Sequence, residues 1–259
     1  MGVDTAIKTM VSRIADILAD NSPSIFIYGS YVLEDFKPGW SDIDILVLTQ
    51  KQISTEQAEE LVCLRQNMSA EEPNQPFYRY FEGGMLTLEA FIHHIPDRVV
   101  YWGTSGQRIT DSYHFDACCM SELLDCGLLL YGEDVRGKLT RPSYDDLKSN
   151  IRFHYEAIRK YAQKTDRNIY SYGWILDIGR CIYTLRTGKI ISKTAAGEWA
   201  LQEHIFNEPA ALEYALIVRK APYRYKEDAE ILNYAEELGD TIQKYADVLE
   251  AELKAANHN

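Results

Sequence analysis

The chain has 259 residues, 46% of them hydrophobic and 25% charged, which is ordinary for a globular protein with one large or two modest domains. Its net charge is −12, from 27 basic and 39 acidic residues, so a long nucleic acid, which requires clustered Lys and Arg, is excluded as an expected partner. No apolar stretch approaches the ~18 residues of a membrane span, so no membrane contact is expected.

The first part of the chain is patterned as alternating helices and strands. Helical spacing of apolar residues and short β-branched runs distinguish the two. The predicted elements are a helix over 4–18, strands over 24–28 and 43–49, a helix from 55 to about 67, and strands near 77–81 and 85–93. This order predicts an N-terminal α+β catalytic domain, assigned to residues 1–115, with a mixed sheet flanked by helices.

The remainder of the chain is patterned almost entirely as helices. The predicted helices cover 116–130, 143–163, 170–187, 193–203, 207–219 and 226–255. These segments predict an all-helical bundle domain over residues 116–259. Local breaks place the boundary between the two domains somewhere from about residue 112 to residue 145.

Two aspartates lie at the start of the predicted strand over 43–49. Period-2 alternation puts Asp42 and Asp44 on one face of that strand and Ile43 and Ile45 on the other. Adjacent carboxylates repel each other and are costly to desolvate, and a divalent cation is the commonest reason to tolerate them. The spacing therefore indicates a Mg²⁺ site.

A small-residue turn, Gly29-Ser30, follows the strand over 24–28. Residues without bulk let backbone N–H groups approach a phosphate, and a helix after the turn would direct its positive end at that phosphate. A triphosphate cradle beside carboxylates for Mg²⁺ predicts a nucleotidyl-transfer site.

This order of motifs resembles the nucleotidyltransferase superfamily typified by DNA polymerase β, which combines Gly-Ser, about a dozen residues, and Asp-x-Asp between apolar residues. The resemblance implies a third acidic residue on a later strand, and the best match is Glu89 in the apolar run 86–92. Asp42, Asp44 and Glu89 would then hold two Mg²⁺ ions, and Glu89 would be the general base.

The second half resembles aminoglycoside adenylyltransferases that act on spectinomycin and streptomycin. The matching stretches are Arg180 to Thr184, Thr187 to Lys193, the segment AAGEWAL over 195–201, and the basic and aromatic residues from Val218 to Arg224. The resemblance implies transfer of AMP from ATP to a hydroxyl of an aminocyclitol or aminoglycoside. It also implies that Gly29, Ser30, Lys193 and Arg180 bind the nucleotide, and that the acceptor is a small cationic antibiotic.

Several alternatives stay open at this point. The acceptor is expected to be an antibiotic, with a lincosamide or a protein target as alternatives, and a module that senses nucleotide without catalysis is a rival of another class. Whether the chain is a monomer or a dimer is undecided. Five cysteines without paired C-x-x-C spacing, and no signal-peptide pattern, predict free thiols and a cytoplasmic location.

Overall fold

The computed structural model describes residues 2–103 and 106–256. They fall into two compact units, an α/β unit (residues up to 32 together with 42–141) and a helical unit (residues 33–41 together with the chain from 142 onward). The predicted class, a mixed sheet with helices followed by a helical C-terminal part, is confirmed.

The α/β unit follows the predicted order at its start. Its helices are α1 (Val3–Ile17), α2 (Thr55–Glu71), α3 (Leu88–His93) and α4 (Ala117–Cys126). Its strands are β1 (Ser24–Tyr28), β2 (Ile43–Thr49), β3 (Phe81–Thr87), β4 (Val99–Gly103), β5 (Gly106–Thr110) and β6 (Leu128–Tyr131).

The strands form one mixed sheet in the order β5-β4-β3-β2-β1-β6. The β2 and β3 strands are parallel, as expected for two strands joined by the crossover helix α2, and the other neighbours are antiparallel. Alternation along β2 is as predicted, since Ile43 and Ile45 are fully buried on one face. Leu46 and Leu48 join a separate apolar cluster on the other face, the face of Asp44.

Three predictions about this unit are wrong. The segment near 77–81, predicted as a strand, is mostly a short 3₁₀ helix (Pro76–Tyr80), and the strand predicted over 85–93 ends at Thr87, after which α3 begins. The helix predicted over 116–130 ends at Cys126, because Gly127 follows and residues 128–131 pair with β1 as β6. That pairing keeps the chain up to Arg141 in the α/β unit, which therefore ends beyond residue 115 but within the predicted boundary range of about 112 to 145.

The helical unit contains seven α-helices in the part of it that the structure describes. They are α5 (Tyr144–Tyr161), α6 (Gly173–Thr187), α7 (Lys193–Gln202), α8 (Ala210–Lys220), α9 (Pro222–Tyr225), α10 (Ala229–Glu236) and α11 (Gly239–Ala255). The α6 helix is the centre of the unit and contacts α5, α7, α8 and α11. Its buried residues, Ile175, Ile178 and Ile182 among them, belong to one large apolar cluster.

A nine-residue segment from the first half of the chain also packs within the helical unit. This segment, residues 33–41, runs between β1 and β2 and is called the connector below. Its Asp35 forms an ion pair with Arg219 of α8 at 3.1 Å, and both side chains are at most 4% exposed. Thr194 donates a hydrogen bond to Asp35 Oδ1 at 2.6 Å.

The buried carboxylate of Asp35 is stabilised in its charged form. Burial alone raises the pKa of Asp35, but the Thr194 hydrogen bond and the Arg219 guanidinium outweigh burial and lower the pKa overall. The pair is therefore ionised at neutral pH, and neither partner can be removed without leaving a buried charge uncompensated.

No helix among the described residues is long and apolar enough to cross a membrane.

We predict that Arg219→Met destabilises the protein by about 3–5 kcal/mol, because it removes the buried guanidinium partner of Asp35 and leaves only the partly exposed Lys37 as its cation. The adjacent Lys220 provides a matched control, since its ion pair with Glu198 is half exposed, and Lys220→Met is expected to cost at most about 1 kcal/mol. Urea denaturation followed by far-UV circular dichroism measures both changes in the free energy of unfolding. Equal losses in the two variants would contradict the prediction.

Candidate active site

The Gly29-Ser30 turn contacts both motif aspartates. Gly29 has φ +70°, and a Cβ at this position would lie 2.7 Å from Asp44 Cγ, so only glycine fits. The Ser30 hydroxyl donates to the Asp42 carbonyl at 3.4 Å. The helix expected after Ser30 is absent from the described residues, because turns lead directly from Gly29 into the connector. Any phosphate contact here therefore depends on turn amides rather than on a helix end.

Register places a third carboxylate beside the two aspartates. Asp44 on β2 is opposite Tyr28 of β1 on one side and opposite Glu82 of β3 on the other. Directly paired residues point to the same face of a sheet. Asp42 lies two residues before Asp44, and all three carboxylate residues are half-buried. The site thus gathers Asp42, Asp44 and Glu82 at one end of two neighbouring strands.

Glu89, the expected third carboxylate, lies elsewhere. It is exposed in the first turn of α3 rather than on a strand. Asp44 pairs with Glu82, whereas Thr87 lies at the other end of the strand and pairs with Thr49. The distance along β3 from Glu82 to Thr87 is roughly 16 Å at about 3.3 Å per residue. The prediction that Glu89 lies on a strand next to the two aspartates is therefore wrong.

Two glycines explain why Glu82 was missed. Gly83 and Gly84 follow it, and glycine is disfavoured in strands, so the predicted strand began only at residue 85. Both glycines are required by close contacts. A Cβ on Gly83 would overlap the Ile45 carbonyl oxygen, and one on Gly84 would lie 2.7 Å from the Tyr113 ring. A Gly-Gly pair inside an apolar run can mark a strand whose backbone is closely approached by its neighbours, and this is the sequence signal for β3.

Neighbouring side chains orient and balance Glu82. The Tyr101 hydroxyl donates to Glu82 Oε1 at 3.4 Å, and the Arg108 guanidinium lies 4.4 Å from the Tyr101 ring centre. Arg65 of α2 is buried and donates to the carbonyls of Phe81 and Gly103, at the ends of β3 and β4. Burial lowers the pKa of Arg65, and the nearby Glu82 and Asp42 carboxylates oppose that decrease. The guanidinium therefore supplies positive charge behind the carboxylates.

Two tyrosines, the buried Tyr28 and the half-buried Tyr113, lie close enough to Asp44 to feel its charge. Burial raises the pKa of Tyr28 well above its usual value, and the Tyr113 and Asp44 charges raise it further. Burial likewise raises the pKa of Tyr113, against the effect of its hydrogen bond with Tyr28. Both phenols therefore stay neutral near pH 7, so the site has no further negative charge from these groups.

The donor chemistry of the site fits Mg²⁺. Asp42, Asp44 and Glu82 supply the carboxylate oxygens that this ion prefers, and the register puts two of them side by side. Within residues 2–103 and 106–256, no group of three or more His, Cys, Asp or Glu side chains is arranged as a metal site. The donor types and the strand register nevertheless fit the ion.

The helical unit holds the other two residues expected at the nucleotide. Lys193 is the first residue of α7, after the N-cap Ser192, and its Nζ lies 3.0 Å from the Asp177 carboxylate. Burial raises the pKa of Asp177, but Lys193 and Arg180 outweigh burial and lower it overall. Lys193 and Arg180 therefore share one electrostatic cluster on α6 and α7.

A cleft of about 450 Å³ in the helical unit is lined in part by Lys193 and Asp177. Its walls combine aromatic rings with carboxylates, which is a suitable lining for a cationic ring compound. The residues that carry this character are Trp40, Tyr170, Trp174, Asp166, Asp177 and Lys193. Trp40 belongs to the connector and contacts Tyr170 edge to face, with 5.7 Å between ring centroids.

Comparisons with known proteins agree with this description. Residues 11–74 match the family model for a nucleotidyltransferase domain, and residues 141–251 match the model for the C-terminal domain of aminoglycoside adenylyltransferases. Spectinomycin 9-adenylyltransferases from Staphylococcus aureus strains Mu50 and N315 are each 23% identical over 214 residues, which covers 77% of this chain and 80% of theirs.

A solved structure shares the fold. The spectinomycin adenyltransferase of Enterococcus faecialis, crystallised with ATP and spectinomycin, superposes with a TM-score of 0.61 at 17% identity. The match covers 95% of this chain and 98% of that one.

The Gly29-Ser30 turn packs against Asp44 of β2, and both lie inside the segment that matches a nucleotidyltransferase domain. The protein is therefore a nucleotidyltransferase. Its C-terminal half narrows that class. The chain belongs to the aminoglycoside adenylyltransferase family.

We predict that Gly29→Ala abolishes nucleotidyl transfer, because the new Cβ displaces the Asp44 carboxylate. Gly188→Ala is the matched control, since Gly188 has φ +68° and its nearest neighbour would be 4.0 Å from an added Cβ. In both variants the left-handed backbone conformation of the new alanine lowers the free energy of unfolding by about 1–2 kcal/mol. Thermal unfolding and a transfer assay separate strain from site damage. Full transfer by Gly29→Ala would show that contact with Asp44 is not required.

Proposed function

We propose that this protein transfers AMP from ATP to a hydroxyl group of an aminocyclitol or aminoglycoside antibiotic, of the spectinomycin or streptomycin type, and releases pyrophosphate. The observation that carries the proposal is the pairing of Asp44 with Glu82 next to the Gly29-Ser30 turn. The family match and the spectinomycin-modifying relatives support the acceptor class.

The reaction needs a base and an electrophile held in line. The acceptor oxygen attacks the α-phosphorus of ATP, the bond from that phosphorus to the bridging oxygen breaks, and pyrophosphate leaves with its electron pair. The acceptor proton passes to the Glu82 carboxylate, which takes the role that the resemblance first assigned to Glu89. The Tyr101 hydroxyl holds the Glu82 oxygen that it contacts.

Nucleotide binding divides between backbone and side chains. Turn amides at Gly29 and Ser30 are suited to the triphosphate, while Asp42, Asp44 and Glu82 would hold Mg²⁺. When bound, this ion supplies charge neutralisation on the phosphates and on the leaving oxygen. That two ions bind stays a prediction. Lys193 and Arg180 stay candidates for phosphate contacts, and Lys193 would exchange its Asp177 partner for a phosphate.

The cleft of the helical unit supports a cationic acceptor. Asp177 is charged at neutral pH, because its pKa is lowered despite burial by the nearby Lys193 and Arg180. Asp166 adds a second carboxylate, and Trp40 and Trp174 offer ring faces that attract ammonium groups. The net charge of −12 favours approach of a small cation for the same reason.

A cytoplasmic location fits both ATP and the thiols. The cysteines in the described ranges, Cys63, Cys118, Cys119, Cys126 and Cys181, are all free. Free thiols are the usual state in a reducing compartment, which supports the location that we propose.

A pyrophosphate-release assay with Mg-ATP across an antibiotic panel tests the proposal. The panel holds spectinomycin, streptomycin, a lincosamide and an unrelated protein, and mass spectrometry checks each acceptor for one added AMP. We expect release and an AMP adduct with spectinomycin or streptomycin. Adducts on the lincosamide or the protein alone would replace the proposed acceptor. If no member of the panel gave pyrophosphate release, the assignment of an antibiotic acceptor would be overturned.

We predict that Glu82→Gln lowers kcat by about 10²–10⁴, because the amide cannot accept the acceptor proton. Asp44→Asn is expected to abolish transfer, since it removes a ligand of the metal. The matched control is Glu89→Gln, which removes an exposed carboxylate from α3 and should leave kcat within about twofold, as surface changes usually do. Loss of transfer in Glu89→Gln with retention in Glu82→Gln would reverse the assignment.

A further inference from the structure

The connector joins the two halves of the nucleotidyl-transfer motif but packs within the helical unit. It begins three residues after Ser30 and ends at Ser41, directly before Asp42. Such a segment can adopt many backbone conformations unless side chains hold it, because a chain without regular secondary structure lacks a hydrogen-bond ladder.

Asp35 anchors the first half of the connector. Arg219 donates to both the backbone carbonyl and the carboxylate of Asp35, at 3.0 and 3.1 Å. The Thr194 amide and hydroxyl donate to the two carboxylate oxygens, at 3.3 and 2.6 Å. Lys37 is the third partner, and its ammonium group lies 3.3 Å from the Asp35 carboxylate. One side chain therefore ties the connector to α7 and α8.

A closed turn shapes the second half of the connector. The amides of Trp40 and Ser41 both donate to the Lys37 carbonyl, at 2.9 and 2.8 Å, and the Lys37 amide donates back to the Ser41 hydroxyl at 3.0 Å. Inside this turn Gly39 has φ +83°, and the Tyr170 hydroxyl donates to its carbonyl at 3.2 Å. The turn ends on the residue that precedes Asp42.

Trp40 fixes the turn against the helical unit. Its side chain is 9% exposed and belongs to the apolar cluster around α6. The Arg219 guanidinium lies 5.4 Å from the Trp40 ring centre, so one residue contacts both halves of the connector. Within the described residues Arg219 Nε has no hydrogen-bond partner.

Asp42 is the point where these restraints take effect. It directly precedes Ile43, the first ladder residue of β2, so the β-ladder restrains the chain on the C-terminal side of Asp42. The other side is the Lys37–Ser41 turn, and the Ser30 hydroxyl reaches the Asp42 carbonyl across the same gap. The backbone position of Asp42 therefore depends on how firmly the connector is held.

We propose that Asp35, Thr194 and Arg219 are positioning residues for nucleotidyl transfer: by anchoring the connector on the helical unit, they set the backbone of Asp42 and Ser30. None of the three is assigned to the substrates or the metal. The inference rests on the proposed function for its kinetic consequence. Its structural consequence, a restrained backbone from Ser30 to Asp44, stands independently.

The test weakens the anchor without leaving a buried charge unpaired. The variant Lys37→Met/Thr194→Val removes two partners of Asp35 and keeps Arg219. The matched control, Lys148→Met/Thr184→Val, removes the same groups from contacts elsewhere in the helical unit, where Lys148 pairs with Asp145 at 2.8 Å and Thr184 donates to the Lys189 carbonyl at 3.0 Å. Lys37 and Lys148 are similarly exposed, at 25% and 20%.

Hydrogen exchange of the free protein, read by mass spectrometry, is the first readout. We expect peptides that hold residues 30–44 to exchange about tenfold faster in the connector variant and unchanged in the control, since local opening follows the loss of restraining contacts. Faster exchange confined to 33–41, with Asp42 to Asp44 unchanged, would overturn the proposal. This arm uses neither nucleotide nor acceptor, so it holds whether or not the antibiotic panel shows transfer.

Steady-state kinetics of the transfer reaction are the second readout. A misplaced carboxylate lowers kcat by about 10–100-fold, because the displaced group acts on the reacting centre. The KM of the acceptor is expected to rise by a smaller factor, since Trp40 of the connector lines the proposed acceptor cleft. Thr194→Ser, which keeps the hydroxyl, should restore kcat in the Lys37→Met background. Equal kcat in the connector variant and the control would overturn the positioning role while leaving the proposed function intact.

Discussion

Repulsion among carboxylates is the constraint on which the α/β unit depends. Asp42, Asp44 and Glu82 lie at one end of two parallel strands, where unshielded charges would push the strands apart. The unit meets this cost with the Arg65 guanidinium behind the carboxylates and with phenols whose raised pKa values keep them neutral. The remaining negative charge faces the Gly29 turn. A bound cation would offset such a negative site.

Backbone crowding follows from the same arrangement. A carboxylate beside Gly29, a carbonyl beside Gly83 and a ring beside Gly84 leave no room for a Cβ at any of the three positions. The glycines are therefore consequences of close strand and side-chain contacts. They lower strand propensity where the sheet is most tightly packed, so the site and its weakest sequence signal coincide.

Elements with continuous apolar runs were predictable from the sequence, and those defined by distant partners were not. The bounds of β1 and β2 and most helices follow from local periodicity. The β6 strand is only four residues long and exists because β1 offers an edge. The Gly29, Asp42 and Asp44 positions were predicted from motif spacing, whereas Glu82 depends on strand register. The Asp35–Arg219 pair spans 184 positions in sequence, and no local pattern indicates such a contact.

The connector also limits where recombination can exchange one unit without disturbing the other. Because residues 33–41 fold with the helices, the boundary at Arg141 does not separate two independent pieces of chain. A recombination event at that boundary would join a foreign α8 to the native Asp35, and the buried carboxylate would lose its guanidinium unless the incoming half carries an arginine there. An exchange of C-terminal halves would therefore require an arginine at this position of the incoming chain.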